Sequence, residues 1–325
     1  MYRNIKNSNL LIILAVLVVI TAIVVLIDTK KGDRSFRSQI VDVDTTKITS
    51  IVITPRSNPN SDIELTKKNE KWFVSKDNKE YIADNNVVKN IFNTLVSLKP
   101  IQVAARTKDK WKEFEVTDST ATIVKIYKGK KKVGTIYIGR FNYIQPKNVS
   151  PYAYYYGQQG TMATYVRVSK DPLVYLVEGF LAMTFNRDVN DFRNKTVLRF
   201  NASDVNRITF SYPDSAFTMV KENNKWKIGD LYADSASVTN YLSTIAWLNS
   251  YSLVDTLKVS EKPNMSVKFE GNNFAVPIEV KAFKVDDTNH VYLINSSLNP
   301  ENYFSGKEAN LKDKIFVEKS KFLKK

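Results

Sequence analysis

The chain has 325 residues, 48 Lys and Arg against 33 Asp and Glu, a formal net charge of +15 and a hydrophobic share of 43%. This is a globular composition, and the length suits one large or two modest domains. There is no cysteine and a single histidine, His290. Disulfide frameworks, thiol catalysis, cysteine-ligated zinc and histidine-based metal clusters are therefore excluded.

The first predicted element is apolar. Leu10 to Ile27 is an 18-residue run in which Thr21 is the one polar residue. As a helix it would extend about 27 Å, close to the roughly 30 Å of a bilayer core. The run exceeds the ~7–15 residues of a signal-peptide core. Asp28, Thr29, Lys30 and Lys31 follow it, without a small-x-small cleavage site. These features predict an uncleaved, single-pass signal anchor. Residues 1–9 then form a short cytoplasmic terminus, 10–27 the transmembrane helix and 28–39 a juxtamembrane linker. Lys30, Lys31, Arg34 and Arg37 outnumber Arg3 and Lys6 across the run. Long domains nevertheless translocate largely regardless of flanking charge, so the large domain is expected outside the cytoplasm.

From residue 40 the chain repeats itself. Ile40, Val41, Val43, Ile48 and Ile51 match Val197, Leu198, Phe200, Val205 and Ile208, 157 residues further on. The strand segments "KITSIVIT" and "VNRITFSY" are rich in β-branched and aromatic residues. Next come two alternating hairpins containing "NEKW" (Asn69 to Trp72) and "NNKW" (Asn223 to Trp226). "ADNNVVKNIFNTLVSL" from Ala83 then aligns without a gap on "ADSASVTNYLSTIAWL" from Ala233. Val88, Ile91, Phe92, Leu95 and Leu98 lie over Val238, Tyr241, Leu242, Ile245 and Leu248. This i, i+3, i+4, i+7, i+10 spacing predicts one amphipathic helix per repeat, with Asp84 and Asp234 placed to cap it.

A hairpin turning at Lys128 to Lys132 follows in the first copy and matches the segment from Met265 at an offset of 142. "VYLVEGFL" from Val174 matches "VYLINSSL" from Val291 at 117, and "FRNK" from Phe192 matches "LKDK" from Leu311 at 119. The reading is an α+β fold: a transmembrane helix, then two tandem units, 40–195 and 196–325, each an antiparallel sheet with one main amphipathic helix. The falling offset assigns unit one an added 25 residues, an extra Tyr-rich loop at 142–164. Loops of that length are often functional, and tyrosine suits interfaces. Tyr143, Tyr152, Tyr154, Tyr155 and Tyr156 are the candidate interaction loop, although part of it could extend the hairpin and pack on the sheet. Lys128, Lys130, Lys131 and Lys132 form a candidate basic patch.

The order of these segments resembles the bacterial domain-of-unknown-function family 4340. The matching parts are Ile48 to Ile53, Trp72, Ala83 to Leu98, Ile136 to Gly139 with its "YIGR" glycine, and Val174 to Val177. The resemblance implies an envelope protein of the bacterial inner membrane with its large domain in the periplasm. It also implies work beside an integral-membrane ABC-type transporter, or a secretion or gliding-motility complex. The family supplies no catalytic residues to carry over.

Chemistry is hard to find. No G-x-x-x-x-G-K-[ST] loop occurs, and ten glycines leave little material for phosphate cradles. The pairs Asp42 and Asp44, Asp188 and Asp191, and Asp286 and Asp287 read as turns and caps. His290 stands without a serine elbow. The expectation is a non-enzymatic protein with no cofactor, no metal and no nucleic-acid partner, acting as an accessory or scaffold subunit. The alternatives are a binding module for cell-wall glycan or another acidic polymer, and an envelope hydrolase resting on scattered carboxylates.

Overall fold

A computed structural model describes residues 12–22, 37–145, 160–286 and 291–323. Residues 12–22 form helix α1, in which Thr21 Oγ1 donates to Leu17 O at 2.7 Å. A hydroxyl in an apolar helix is satisfied in this way without leaving the helix. Eleven residues extend about 16 Å, half a bilayer core. Among the described residues no helix is long and apolar enough to cross a membrane, and the rest of the expected 10–27 span lies outside them.

The first unit contains β1 (Ser50–Thr54), β2 (Ile63–Lys68), β3 (Lys71–Lys76), β4 (Lys79–Ile82), α2 (Asn85–Ser97), β5 (Pro100–Ala105), β6 (Thr122–Lys128), β7 (Lys131–Ile144), β8 (Thr161–Val168) and β9 (Val174–Glu178). Two short helices, α3 (Ala182–Phe185) and α4 (Val189–Phe192), close it. The second unit contains β10 (Thr196–Arg199), β11 (Val205–Ser211), β12 (Ala216–Glu222), β13 (Lys225–Ile228), β14 (Leu231–Tyr232), α5 (Ser235–Ile245), β15 (Trp247–Asn249), β16 (Met265–Gly271), β17 (Ile278–Lys284), β18 (Tyr292–Ser296), β19 (Asn299–Ser305) and α6 (Leu311–Ile315). The strand orders are β4-β3-β2-β1-β6-β7-β8-β9-β5 and β14-β13-β12-β11-β16-β17-β18-β19, with β10 paired to β15. Every pairing is antiparallel.

Local chemistry accounts for the elements. Asn69 and Glu70, like Asn223 and Asn224, have φ between 46° and 64°, so each hairpin turns on two left-handed residues. Such turns match the right-handed twist of the flanking strands. The Asp84 side chain accepts from Asn86 N and Val87 N, and that of Asp234 accepts from Ser237 N. These bonds satisfy backbone donors that a helix start leaves free. Val88, Ile91 and Leu95 of α2, and Val238, Tyr241, Leu242 and Ile245 of α5, are buried against their sheets. Each such side chain contributes about 1.5–3 kcal/mol on burial.

Pairing registers align the two copies. The ladder Ile53, Val124, Ile136, Val168 in unit one corresponds to Phe210, Val267, Val280, Ser296 in unit two. The closing helices correspond too. Leu181 and Phe185 of α3 are buried as Leu311 and Ile315 of α6 are. Asp84 N donates to Phe192 O at 2.8 Å, and Asp234 N donates to Phe322 O at 2.7 Å.

This alignment corrects the end of the sequence repeat. "VYLV" belongs to β9, whereas "VYLI" runs into β18, which corresponds to β8. The counterpart of Phe192 is Phe322, not Leu311. Short strings of β-formers fit any strand, so identity there misplaces the register that hydrogen bonding fixes. Ile136 and Val168 lie 32 residues apart and Val280 and Ser296 lie 16 apart, so the unit-one hairpin is longer by 16 residues rather than 25. Nor is 142–164 all loop: Asn142, Tyr143 and Ile144 of β7 pair with Ala163, Met162 and Thr161 of β8.

Candidate functional site

The hairpin β7–β8 outruns the helix layer beneath it. Ile138 and Val166 pair with each other and face the core that contains α2. Beyond them the register slips by one residue, and Phe141 then pairs with Thr164 and Tyr143 with Met162. Two residues, Gly139 and Arg140, thus oppose the single Tyr165, which is a bulge. The bulge returns Phe141 to the core-facing side, so this side of the sheet continues as Phe141, Tyr143 and Met162.

Nothing described covers that continuation. Phe141 is 40% exposed, Tyr143 49%, Met162 54%, and Phe180 beside Phe141 41%. The Phe141 and Phe180 rings meet edge to face with centroids 5.0 Å apart. Gly179 N donates to Met162 O at 2.8 Å, which seats the start of the β9–α3 turn against the hairpin. Four large side chains, Phe141, Tyr143, Met162 and Phe180, therefore share one uncovered face, a feature that marks contact sites on soluble surfaces.

The opposite side of the hairpin is packed. Residues 106–121 cross it, and Phe114, Val116, Ala163 and Tyr165 are buried there. A Cβ on Gly139 would run into the backbone oxygen of Phe114, so only glycine admits the crossing. Arg167 is sandwiched between Trp111 and Tyr137, with Cζ 3.8 and 3.5 Å from the ring centroids. Its Nε donates to Val116 O at 2.9 Å. Burial and the neighbouring Asp118 raise the Tyr137 hydroxyl above its usual range.

Of the sequence candidates, Tyr143 lies in β7 on the uncovered face, where its hydroxyl accepts from Gly160 N at 2.9 Å. Tyr152, Tyr154, Tyr155 and Tyr156 lie outside the described residues, as does His290. Lys128, Lys130, Lys131 and Lys132 occupy a tight turn with Lys128 paired to Lys131, and all four are exposed. The structure does not bring them to the apolar face: they stand at the other end of β7. Asp44 caps a short turn, and hydrogen bonds from Lys47 and Thr46 lower its carboxyl to about 2. Asp188 and Asp191 form a capping box at α4. Among the described residues no group of three or more His, Asp or Glu could hold a metal ion.

Two features escaped the sequence reading. The first is a clasp between the units. Arg193 is fully buried, and its five N–H groups all donate: Nε and Nη2 to Asn302, Nη1 to Asn190, and Nη1 and Nη2 to Asp255. Its guanidinium lies 3.6 Å from the Tyr81 ring centroid. Asn299 and Asn302 donate to Asn194 O at 2.7 and 3.1 Å. "FRNK" contains this arginine, but nothing local distinguishes it from a surface cation.

The second is a pair of corresponding clefts. Arg56, Thr122, Ala182 and Asn186 line a cavity of about 190 Å³ in unit one, and their counterparts Pro213, Met265, Lys312 and Phe316 line one of about 660 Å³ in unit two. Asn186 Oδ1 accepts from Ser57 N and Thr122 Oγ1, which ties the first cleft closed. Phe316 cannot do so. In unit two Tyr212 instead donates to Val317 O at 2.6 Å, and burial pushes its hydroxyl well up.

The fold and its site define a duplicated α+β protein with an uncovered apolar face in the first copy. The sequence model of the family described as a domain of unknown function (DUF4340) matches residues 72–268, more than half of the chain, and the protein belongs to that family. The match runs from β3 into β16 and so spans both units. No curated protein and no solved structure matches the chain.

Proposed function

We propose that the protein is a non-enzymatic, membrane-anchored envelope subunit. It docks onto an ABC-type transporter, or a secretion or motility complex, through the uncovered face of its first unit. Residues 10–27 are the single-pass anchor of the bacterial inner membrane, and the two units stand in the periplasm. One observation carries the docking reading: Phe141, Tyr143, Met162 and Phe180 form an exposed apolar face on a sheet side that is elsewhere packed. Soluble monomers seldom leave such a face bare, and burying it against a partner is favourable. Interfaces of this kind are anchored by a few large apolar and aromatic side chains.

The test is affinity recovery of the tagged full chain from native membranes in mild detergent, with the co-purifying subunits identified by mass spectrometry. The triple variant Phe141→Ser, Met162→Ser, Phe180→Ser is expected to lose at least about tenfold of the transporter or secretion subunits, equivalent to about 1.4 kcal/mol of binding. These side chains are exposed, so circular dichroism should match that of the parent. Equal recovery by the variant, or recovery of the chain alone from the parent, overturns the reading.

A further inference from the structure

The seam between the two units contains a second concave site, unrelated to the docking face. A cavity of about 370 Å³ lies between the start of α2 and the β10–β15 ribbon. Ligand sites occupy roughly 300–1,000 Å³ and favour such junctions. Asn85 and Asn86 line it from unit one, and Thr196, Arg199 and Asn249 from the ribbon. The side chains of Asn85, Asn86 and Asn249 are exposed and make no hydrogen bond among the described residues. Trp247 stands two residues before Asn249, is 64% exposed and flanks Arg199, whose Cζ is 5.0 Å from its ring centroid.

We propose that this cavity binds a neutral oligosaccharide. Each free amide offers two donors and an acceptor, which suits hydroxyl groups that both give and receive hydrogen bonds. An exposed indole offers a flat apolar surface to the C–H face of a pyranose ring. Charge argues against an anionic ligand. Asp84 lines the cavity, and its side chain already accepts from the first backbone donors of α2, so the helix end offers an anion little. Arg199 balances that carboxylate, which leaves the lining neutral.

The internal repeat supports a dedicated role. Asp84 and the apolar stripe of α2 recur in α5, whereas Asn85 and Asn86 become Ser235 and Ala236. Trp247 and Asn249 stand where the first copy has Ser97 and Lys99. The framework is thus retained between the copies while the residues around the cavity differ.

The experiment uses the full chain in a detergent without a sugar headgroup, titrated separately with maltotriose, cellotriose and chitotriose. Tryptophan emission and calorimetry report binding. The expected result is saturation by at least one trisaccharide below about 10 mM, the weak end of specific recognition, with a blue shift as Trp247 is covered. Trp247→Ala should weaken that binding at least tenfold and Asn249→Ala at least threefold, both at exposed positions with the fold checked by circular dichroism. If none of the three sugars saturates, or if Trp247→Ala binds as tightly as the parent, the proposal fails. Neither variant touches the docking face, so partner recovery should be unchanged in both.

Discussion

Replacing Asp255 with alanine tests how the two units are held. Arg193 is completely buried and Asp255 is 32% exposed at its side chain, with two hydrogen bonds of 2.6 and 3.0 Å between them. The variant leaves two of five guanidinium donors without a partner. Removing one member of a buried pair costs about 3–5 kcal/mol because the other charge is stranded. Water reaches the Asp255 side, and Asn190 and Asn302 still accept from the same two nitrogens, so the expected loss is about 2–3 kcal/mol. Urea unfolding of the full chain in detergent, followed by tryptophan emission, measures it. Trp72 reports on unit one and the buried Trp226 on unit two. Uncoupling the units should also split one transition into two. The variant Arg193→Met/Asp255→Leu, which strands no charge, should recover part of the stability. A loss below about 1 kcal/mol in Asp255→Ala, without splitting, would refute the view that this ion pair fastens the seam.

Two further outcomes follow from packing and titration. Gly139→Ala should destabilise by about 2 kcal/mol or more, because the new methyl group meets the backbone oxygen of Phe114 rather than a movable side chain. A thermal melt within 1 °C of the parent would contradict this, whereas Gly129→Ala, with open space around it, tests only the strain of its φ of +57°. Burial holds the Tyr241 hydroxyl, which donates to Ile315 O at 2.8 Å, well above its usual range. A raised tyrosine stabilises the fold below its unfolded value of about 10, and that contribution is lost as pH rises beyond it. Alkaline unfolding followed by tyrosinate absorbance should show this. Tyr241→Phe should lose stability near pH 7 yet fall less steeply above pH 10, and an unchanged alkaline slope would refute the assignment.

Much of the framework was legible because its determinants are local. The stripe from Val88 to Leu98 has helical period, Asp84 and Asp234 precede their helices, and Asn69 and Asn223 mark tight turns. The second half of each repeat was not legible, since β8, β9 and the closing helices are placed by long-range hydrogen bonds such as Asp84 N to Phe192 O. The exposed apolar face was half legible. Tyr143 could be singled out as part of a tyrosine-rich stretch, but Phe141, Met162 and Phe180 look like ordinary strand residues until the bulge at Gly139 turns one of them round. Arg193 was missed for a related reason: its partners in the second unit, Asp255 and Asn302, lie 62 and 109 residues away.

In the seam, β19 of the second unit lies against β4 of the first, an association between unlike edges of two copies of one fold. Head-to-tail contacts of that kind ordinarily propagate into filaments or rings. The outer edge of the second copy is poorly suited to extend such an array. The edge that a further copy would meet is β14, two residues long where β4 has four, and Lys225 and Lys227 lie 5.6 and 5.4 Å over its Tyr232 ring. A short edge guarded by lysine is a poor template for another strand. After Phe322 comes Leu323, where the first copy has Arg193 after Phe192. The cation that fastens the first copy to the second thus has an apolar residue at its counterpart position, and the outer edge of the second copy is guarded by its own composition.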